Sequence, residues 1–220
     1  MKIKALVAVR SGSVRVENKN IRPFAGSTLL ERKLMQLKRI SLLDGVIVNS
    51  NDDAMLDISK RHGCEAVKRD ALYASNEVSM SDVYENMARH CNADVIVYAN
   101  VTNPLIRDET LYRSIQAYQG AERQFDSLNS AHLVKEFLFL NSRPLNYDLL
   151  HQPRSQDLPD IMALNFAVNI LAKETMIACK NVVGMNPSLF LIDEVEAADI
   201  DNQIDFDFAE YIVKQNKLFY

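Results

Sequence analysis

The chain has no tryptophan, three cysteines, six glycines and six prolines in 220 residues. Cys64, Cys91 and Cys179 are odd in number and far apart, so they spell neither a disulfide framework nor a cysteine zinc site. They read as reduced, mostly core residues. Glycine and proline are spread too thinly for a linker, and no repeat or low-complexity tract is present, so residues 1–220 read as one domain. Positive charge is also short: the net charge is −4 with no basic run, which argues against nucleic acid or an anionic membrane as the main partner. The apolar run Ala5 to Val9 is too brief for a signal peptide or a membrane span, and a cytoplasmic location is expected. His62, His90, His132 and His151 lack H-E-x-x-H or other metal spacing, and no G-x-S-x-G or cysteine motif occurs. Zinc-hydrolase and serine- or cysteine-nucleophile chemistry is therefore not written here.

What remains is ordinary globular material, 48% hydrophobic and 25% charged, long enough to bury roughly 70% of its unfolded surface. Ile3 to Val9 is apolar at every position but Lys4, as in a strand buried on both faces. Ser27 or Thr28 can cap a helix with Leu30, Leu34, Leu37 and Ile40 on one face. Further strands are expected at Val46–Val48, Ala66–Lys68 and Val95–Ala99, with a helix ending near Gly63, one over 81–91 and one opening at Asp108–Glu109. This alternation predicts an α/β fold with a doubly wound, mostly parallel sheet. Beyond it, Asn165–Leu171 and Leu189–Ile192 look like strands, and helices are expected near 173–179 and over 205–215, the last with Phe208, Ile212 and Tyr211 on one face. Met35, Met55 and Met87 sit at helical core positions. Residues 133–160, rich in Asn, Pro and Arg, break the rhythm and are either a long surface excursion or an arm packing on a second copy.

Ligands of such sheets sit at the carboxyl ends of the strands. The first strand runs into RSGSVRVENKN, where Arg10, Arg15 and Lys19 surround the small-residue turn Ser11-Gly12-Ser13, closed by Asn20. Clustered backbone N–H groups and fixed cations suit a triphosphate. The loop is neither Walker A nor the dinucleotide G-x-G-x-x-G pattern. Near the carboxyl terminus, Asp199 and Asp201 alternate around Ile200. An extended backbone there would point both carboxylates to one side, as Mg²⁺ needs, although capping of the following helix explains them equally well. Asp205 and Asp207 look like helix-capping acids.

R-S-G-S-x-R-x-x-x-K-N followed by I-R-P-F-A-G-x-x-L-L resembles the opening of the acylneuraminate cytidylyltransferases, the CMP-sialic acid synthetase family. The resemblance implies a Rossmann-like nucleotidyltransferase that joins a 2-keto sugar acid to CMP from CTP, releasing pyrophosphate. It implies that Arg10, Arg15 and Lys19 hold the triphosphate, and that Asp199 and Asp201 bind Mg²⁺, Asn202 standing where the family has threonine. Arg69 matches the family's arginine near cytosine. Ser79 falls in its serine-rich stretch, with Met80 where a second serine is common. Arg10, Lys19 and Asp201 are the expected catalytic residues.

On the acceptor side the match loosens. The family's Q-P-T-S-P-L-R becomes Asn100-Val101-Thr102-Asn103-Pro104-Leu105-Ile106, with Arg107 one step late. Its R-P-N-G-A becomes Ala163-Leu164-Asn165-Phe166-Ala167, so the pocket is expected to hold a differently shaped acid. Gln152-Pro153-Arg154 matches the family's arm, and Lys135 aligns with a basic arm residue; in the family such cations reach into the partner's site, which implies a homodimer with exchanged arms. Two alternatives stand beside this: a nucleotidyltransferase for another sugar or an alcohol phosphate, and a nucleotide-binding dimer without transfer activity.

Overall fold

A computed structural model describes residues 1–13, 15–75, 77–121 and 124–215. The chain opens with β1 (Ile3–Ala8), then a two-strand ribbon, β2 (Pro23–Phe24) and β3 (Ser27–Thr28), that feeds α1 (Leu29–Arg39). Thr28 caps α1: its hydroxyl accepts from Glu31 N–H at 3.1 Å and donates to the Glu31 carboxylate at 3.0 Å. Leu30, Leu34, Leu37 and Ile40 are all buried. Next come β4 (Val46–Ser50), α2 (Asp53–Arg61), β5 (Glu65–Lys68), α3 (Met80–Arg89), β6 (Val95–Ala99) and α4 (Asp108–Gly120). Gly63 at φ +69 follows the α2 cap, as a C′ glycine does.

The rest of the chain adds β7 (Ser127–Val134), a small hairpin of β8 (Phe139–Leu140) and β9 (Arg143–Pro144), β10 (Ile161–Ala172), α5 (Lys173–Cys179), β11 (Pro187–Leu191) and α6 (Gln203–Gln215). The main sheet has the order β11-β7-β10-β6-β1-β4-β5. β5, β4, β1 and β6 are parallel, β10 runs antiparallel to β6 and β7, and β11 is parallel to β7. The chain leaves β1 toward β4, then crosses back to β6, so the order switches at β1 and β6 and a crevice opens beyond their carboxyl ends. One face of the sheet packs the buried side chains of α1, α2, α4 and α6; the other packs α3 and α5 around Leu6, Ile96 and Tyr98.

Four expectations are corrected. β7 carries an eight-residue strand where none was expected: its Ser127, Asn129 and Ser130 are buried and polar, which hides the usual strand signature. The excursion consequently spans 135–160 rather than 133–160. On α6 the buried face is Phe206, Ala209 and Val213, with Phe208 and Tyr211 exposed, because Phe206 packs edge-on against Phe24 at 5.1 Å and sets the helix rotation. Met35 faces outward on α1, while Met55 and Met87 are core. No described helix is long and apolar enough to cross a membrane.

Candidate active site

The segment after β1 is a chain of tight turns, with Gly12 at φ +83 and Asn18 at φ +51. Such left-handed positions suit Gly and Asn. The Ser11 N–H donates to Asn51 Oδ1 at 3.3 Å, while Asn51 Nδ2 donates to Ser11 Oγ at 3.1 Å, tying the loop to the end of β4. Buried Asn20 donates to the Arg10 carbonyl at 3.2 Å and braces the loop from below. Arg10 Nη1 donates to the Ala74 carbonyl at 2.8 Å. Ser13 is half-buried in the same turn.

The carboxyl-terminal acids arrive from across the molecule. Residues 198–201 join no strand; instead the Ile200 N–H donates to the Thr102 carbonyl at 2.8 Å, beside the end of β6. Lys19 Nζ donates to the Ile200 carbonyl at 2.5 Å, which puts the ammonium beside Asp199 and Asp201. Arg15 pairs with Asp201 at 2.9 Å. Partial burial lowers the Lys19 pKa, opposed by Asp199, Asp201 and Asp205. The Asp199 carboxyl is held above the usual range, first by lost hydration and then by Asp201, against the Thr102 hydroxyl and Lys19. Asp199 keeps an open face to the cleft, so that burial penalty acts on a carboxylate only partly withdrawn from water. Two crowded carboxylates in an open cleft are what a divalent cation relieves. No group of three or more His, Cys, Asp or Glu that could hold a metal occurs among the described residues, so an ion here needs ligand oxygens or water to complete its shell. The acids expected as caps divide: Asp205 accepts from the Asp201 and Asn202 N–H groups, Asn202 caps α6 through Ile204 and Asp205 N–H, and Asp207 only accepts from Gln203.

Beside the loop lies a cavity of about 430 Å³ lined by Arg10, Arg69, Tyr73, Met80, Met87 and Tyr98, among others. Its size suits a nucleoside. Arg69 is buried, with Nε donating to Asn49 Oδ1 at 2.5 Å and Nη2 to the Asn49 carbonyl at 2.9 Å. Burial lowers its pKa, and no carboxylate pairs with it among the described residues. A cation held this way, by neutral oxygens and the Met87 sulfur at 3.6 Å, is an electrophilic probe for a carbonyl or phosphate oxygen. Ser79 is instead the exposed N-cap of α3, bonded to Asp82. Tyr73, Met87 and Tyr98 were not legible as lining; the only signal was a polar-tipped ring inside the aliphatic strand VIVYA.

The acceptor-side residues do come together. Asn100 Nδ2 donates to the Phe166 carbonyl at 3.1 Å. Asn103, fully buried, donates to the Ala198 carbonyl at 3.2 Å and the Asn165 carbonyl at 3.5 Å, so one amide joins three segments of the crevice wall. Behind it, Lys33 on α1 donates to the Asn103 carbonyl and to Gln36, both at 3.0 Å, a buried clamp that sequence reasoning missed. Lys135 and Arg154 do not reach this group within one chain: Lys135 bonds the Leu158 carbonyl and Asp160, each at 2.6 Å, and Arg154 bonds Asp157 at 2.7 Å.

A family model described as cytidylyltransferase matches residues 4–220. The chain belongs to the cytidylyltransferase family. Post-translational flagellin modification protein B of Campylobacter coli is 22% identical over 98% of this chain and 97% of its own length. Pseudaminic acid cytidylyltransferase of Campylobacter jejuni is 22% identical over 98% of both chains. N-acylneuraminate cytidylyltransferase of Oncorhynchus mykiss is 26% identical over 94% of this chain, which spans 49% of that protein. Among solved structures, CMP:2-keto-3-deoxy-manno-octonic acid synthetase complexed with CTP superposes with a TM-score of 0.71 at 11% identity, covering 98% of this cytidylyltransferase and 99% of that chain. At that identity the likeness speaks for the fold alone.

Proposed function

We propose that this cytidylyltransferase transfers CMP from CTP to the anomeric hydroxyl of a 2-keto sugar acid, with Mg²⁺ as its ion. The observation that carries the reading is the meeting of Arg15 and Lys19 with Asp199 and Asp201 beside a nucleoside-sized cavity. Arg10, Arg15, Lys19 and the backbone of Ser11-Gly12-Ser13 bind the triphosphate and stabilise departing pyrophosphate. Arg69 reads the pyrimidine from within the cavity. The acceptor hydroxyl oxygen forms its bond to the α-phosphorus and gives up its proton to solvent as the bond to pyrophosphate breaks. Mg²⁺, held by Asp199 and Asp201 with phosphate oxygens, would neutralise charge and act as a Lewis acid. Asn100, Thr102, Asn103, Asn165 and Phe166 form the acceptor wall, and the relatives named for pseudaminic and N-acylneuraminic acids support an acidic sugar there.

The test is pyrophosphate release from CTP across eight- and nine-carbon keto-sugar acids, with UTP, GTP and an alcohol phosphate as controls. Release with CTP and one acid, abolished by a chelator and restored by Mg²⁺, is the expected result. Release only with the alcohol phosphate would favour the rival acceptor class, and CTP binding without any release would favour a non-catalytic role.

The assembly proposed is a homodimer built through residues 135–160. That excursion exposes Phe139 (54%), Leu145 (58%), Leu149 (63%) and Leu150 (86%), an apolar surface that a soluble monomer rarely leaves open. In the proposed dimer Lys135 and Arg154 exchange their partners within the excursion, Asp160 and Asp157, for a second copy's acceptor wall. Sedimentation should give twice the chain mass, and Leu150→Asp should halve it while weakening acceptor use. A monomeric wild type would overturn the exchanged arm.

A further inference from the structure

Arg107, the arginine one step late after Asn100–Ile106, pairs through its guanidinium with Asp193 and, at 3.2 Å, with Glu196. Glu196 is only 3% exposed, yet both of its carboxylate oxygens are engaged. Oε2 accepts from the Arg107 N–H at 2.9 Å, at the start of α4, and Oε1 accepts from the Thr110 hydroxyl at 3.0 Å beside Arg107 Nε. Burying a charge costs more than burying an apolar side chain of the same size, so packing alone does not call for a carboxylate here. What its donors supply is direction. The turn that carries Glu196 runs into the two acids, and its grip is one of three along the same stretch. The Ile200 N–H donates to the Thr102 carbonyl at 2.8 Å, Asn103 donates to the Ala198 carbonyl at 3.2 Å, and Arg107 and Thr110 hold Glu196. Residues 196–200 are thus zipped along 102–110 in the opposite chain sense. The stretch 102–110 is fixed in turn from α1, where Gln36 donates to the Ile106 carbonyl at 2.6 Å and to Asp108 at 3.1 Å.

We infer that Glu196 is a positioning residue for the two acids: its buried carboxylate, gripped by Arg107 and Thr110, sets where Asp199 stands relative to Asp201 and so how tightly the pair binds a divalent cation. This rests on the metal reading of those acids proposed above. Neither acid lies in a helix or strand, so no regular backbone ladder fixes their separation. Asp201 is held from one side, where its N–H donates to Asp205 at 2.9 Å near the start of α6. Glu196 is the buried anchor on the other side. It precedes Asp199 by three residues, a reach of at most about 11 Å, so a shift at the anchor is carried to the acid. Metal ligands are sensitive to such support: losing a group that orients them typically costs about 10–100-fold in affinity.

The experiment titrates Mn²⁺, a paramagnetic stand-in for Mg²⁺, into the full chain with CTP and no acceptor. Electron paramagnetic resonance reads the free ion, with CTP alone as the blank. Wild type should hold the ion more tightly than CTP alone does. Glu196→Gln keeps the shape but offers one acceptor oxygen in place of two, and should weaken that binding by about tenfold. Thr110→Val, which removes only the hydroxyl donor, should weaken it by about threefold, and Thr110→Ser, which keeps the donor, should stay within about twofold of wild type. CTP affinity measured in chelator should not move. The inference is overturned if Glu196→Gln and Thr110→Val keep the wild-type Mn²⁺ affinity, even with lowered urea midpoints, because Glu196 would then serve the fold alone. A matching fall in CTP affinity in chelator would overturn it too, since the whole crevice would have been disturbed. Should far-UV circular dichroism show Glu196→Gln unfolded, Thr110→Val against Thr110→Ser decides. If wild type adds nothing to the affinity of CTP alone, the metal reading of Asp199 and Asp201 fails, and this inference with it.

Discussion

Lys19→Ala should cut pyrophosphate release by two orders of magnitude or more. Its ammonium stands beside two carboxylates, donates to the Ile200 carbonyl, and lies on the loop that leaves β1 at the switch point of the sheet. In a transfer whose barrier is mostly developing charge on phosphate oxygens, one preorganised cation is worth about 3 kcal/mol, or about a hundredfold. Removal also leaves Asp199 and Asp201 facing each other with one fewer cation, so the loss should appear chiefly in kcat. Asp201→Ala should match it for a different reason: Arg15 loses its partner, and the pair of acids proposed to hold Mg²⁺ becomes one. Steady-state kinetics with far-UV circular dichroism as a folding control checks both. Near-wild-type turnover in either variant would remove these residues from the proposed mechanism.

The second large effect concerns stability and is read with pH. Lys33 is buried, and burial drops its pKa from 10.5 to about 7, opposed only by Asp108. The unfolded chain therefore holds this proton more tightly than the folded one. The cost of burying the charge is full below about pH 7 and disappears as pH rises toward the unfolded value, so the protein gains stability with pH across that window. Cys91, pushed up to about 11 by burial, works in the opposite sense once unfolded thiols begin to ionise, which limits the clean range to below about pH 9. Lys33→Met removes the Lys33 contribution alone. Between pH 7 and 9 the wild type should gain about 2 kcal/mol in unfolding free energy relative to Lys33→Met, from about 1.4 kcal/mol per pH unit. Urea unfolding at the two pH values measures it. Parallel pH profiles would mean that the amine is neutral throughout or reaches water.

The strand–loop–helix opening was legible because its signals are local. A mostly apolar β1, the Thr28 N-cap and the Leu30, Leu34, Leu37, Ile40 face are decided within a turn or two of chain, and all formed as expected. β7 was not legible, since Ser127, Asn129 and Ser130 gain burial only by bonding to one another, to β10 and to Val183. α6 offered apolar residues on more than one face, and only docking on Phe24 chose among them. Phe166 shows both sides: the replaced glycine could be read from the motif, but the retained positive φ could not.

What the sequence by itself determined is the inventory of the candidate site: cations on the first strand's loop, two alternating acids near the carboxyl terminus, and the Asn100 and Phe166 departures in the segments proposed to face the acceptor. Tertiary structure alone decided which of these meet. Lys19 and Ile200 lie 181 residues apart and touch because Ile200 hangs from Thr102 at the end of β6, next to β1. Arg69, Tyr98 and Met87 make one cavity because α3 lies across the same face of the sheet. Local preferences set strands and helices, but long-range contact is bought with loop-closure entropy and returned by burial, and that balance is not written in any one segment.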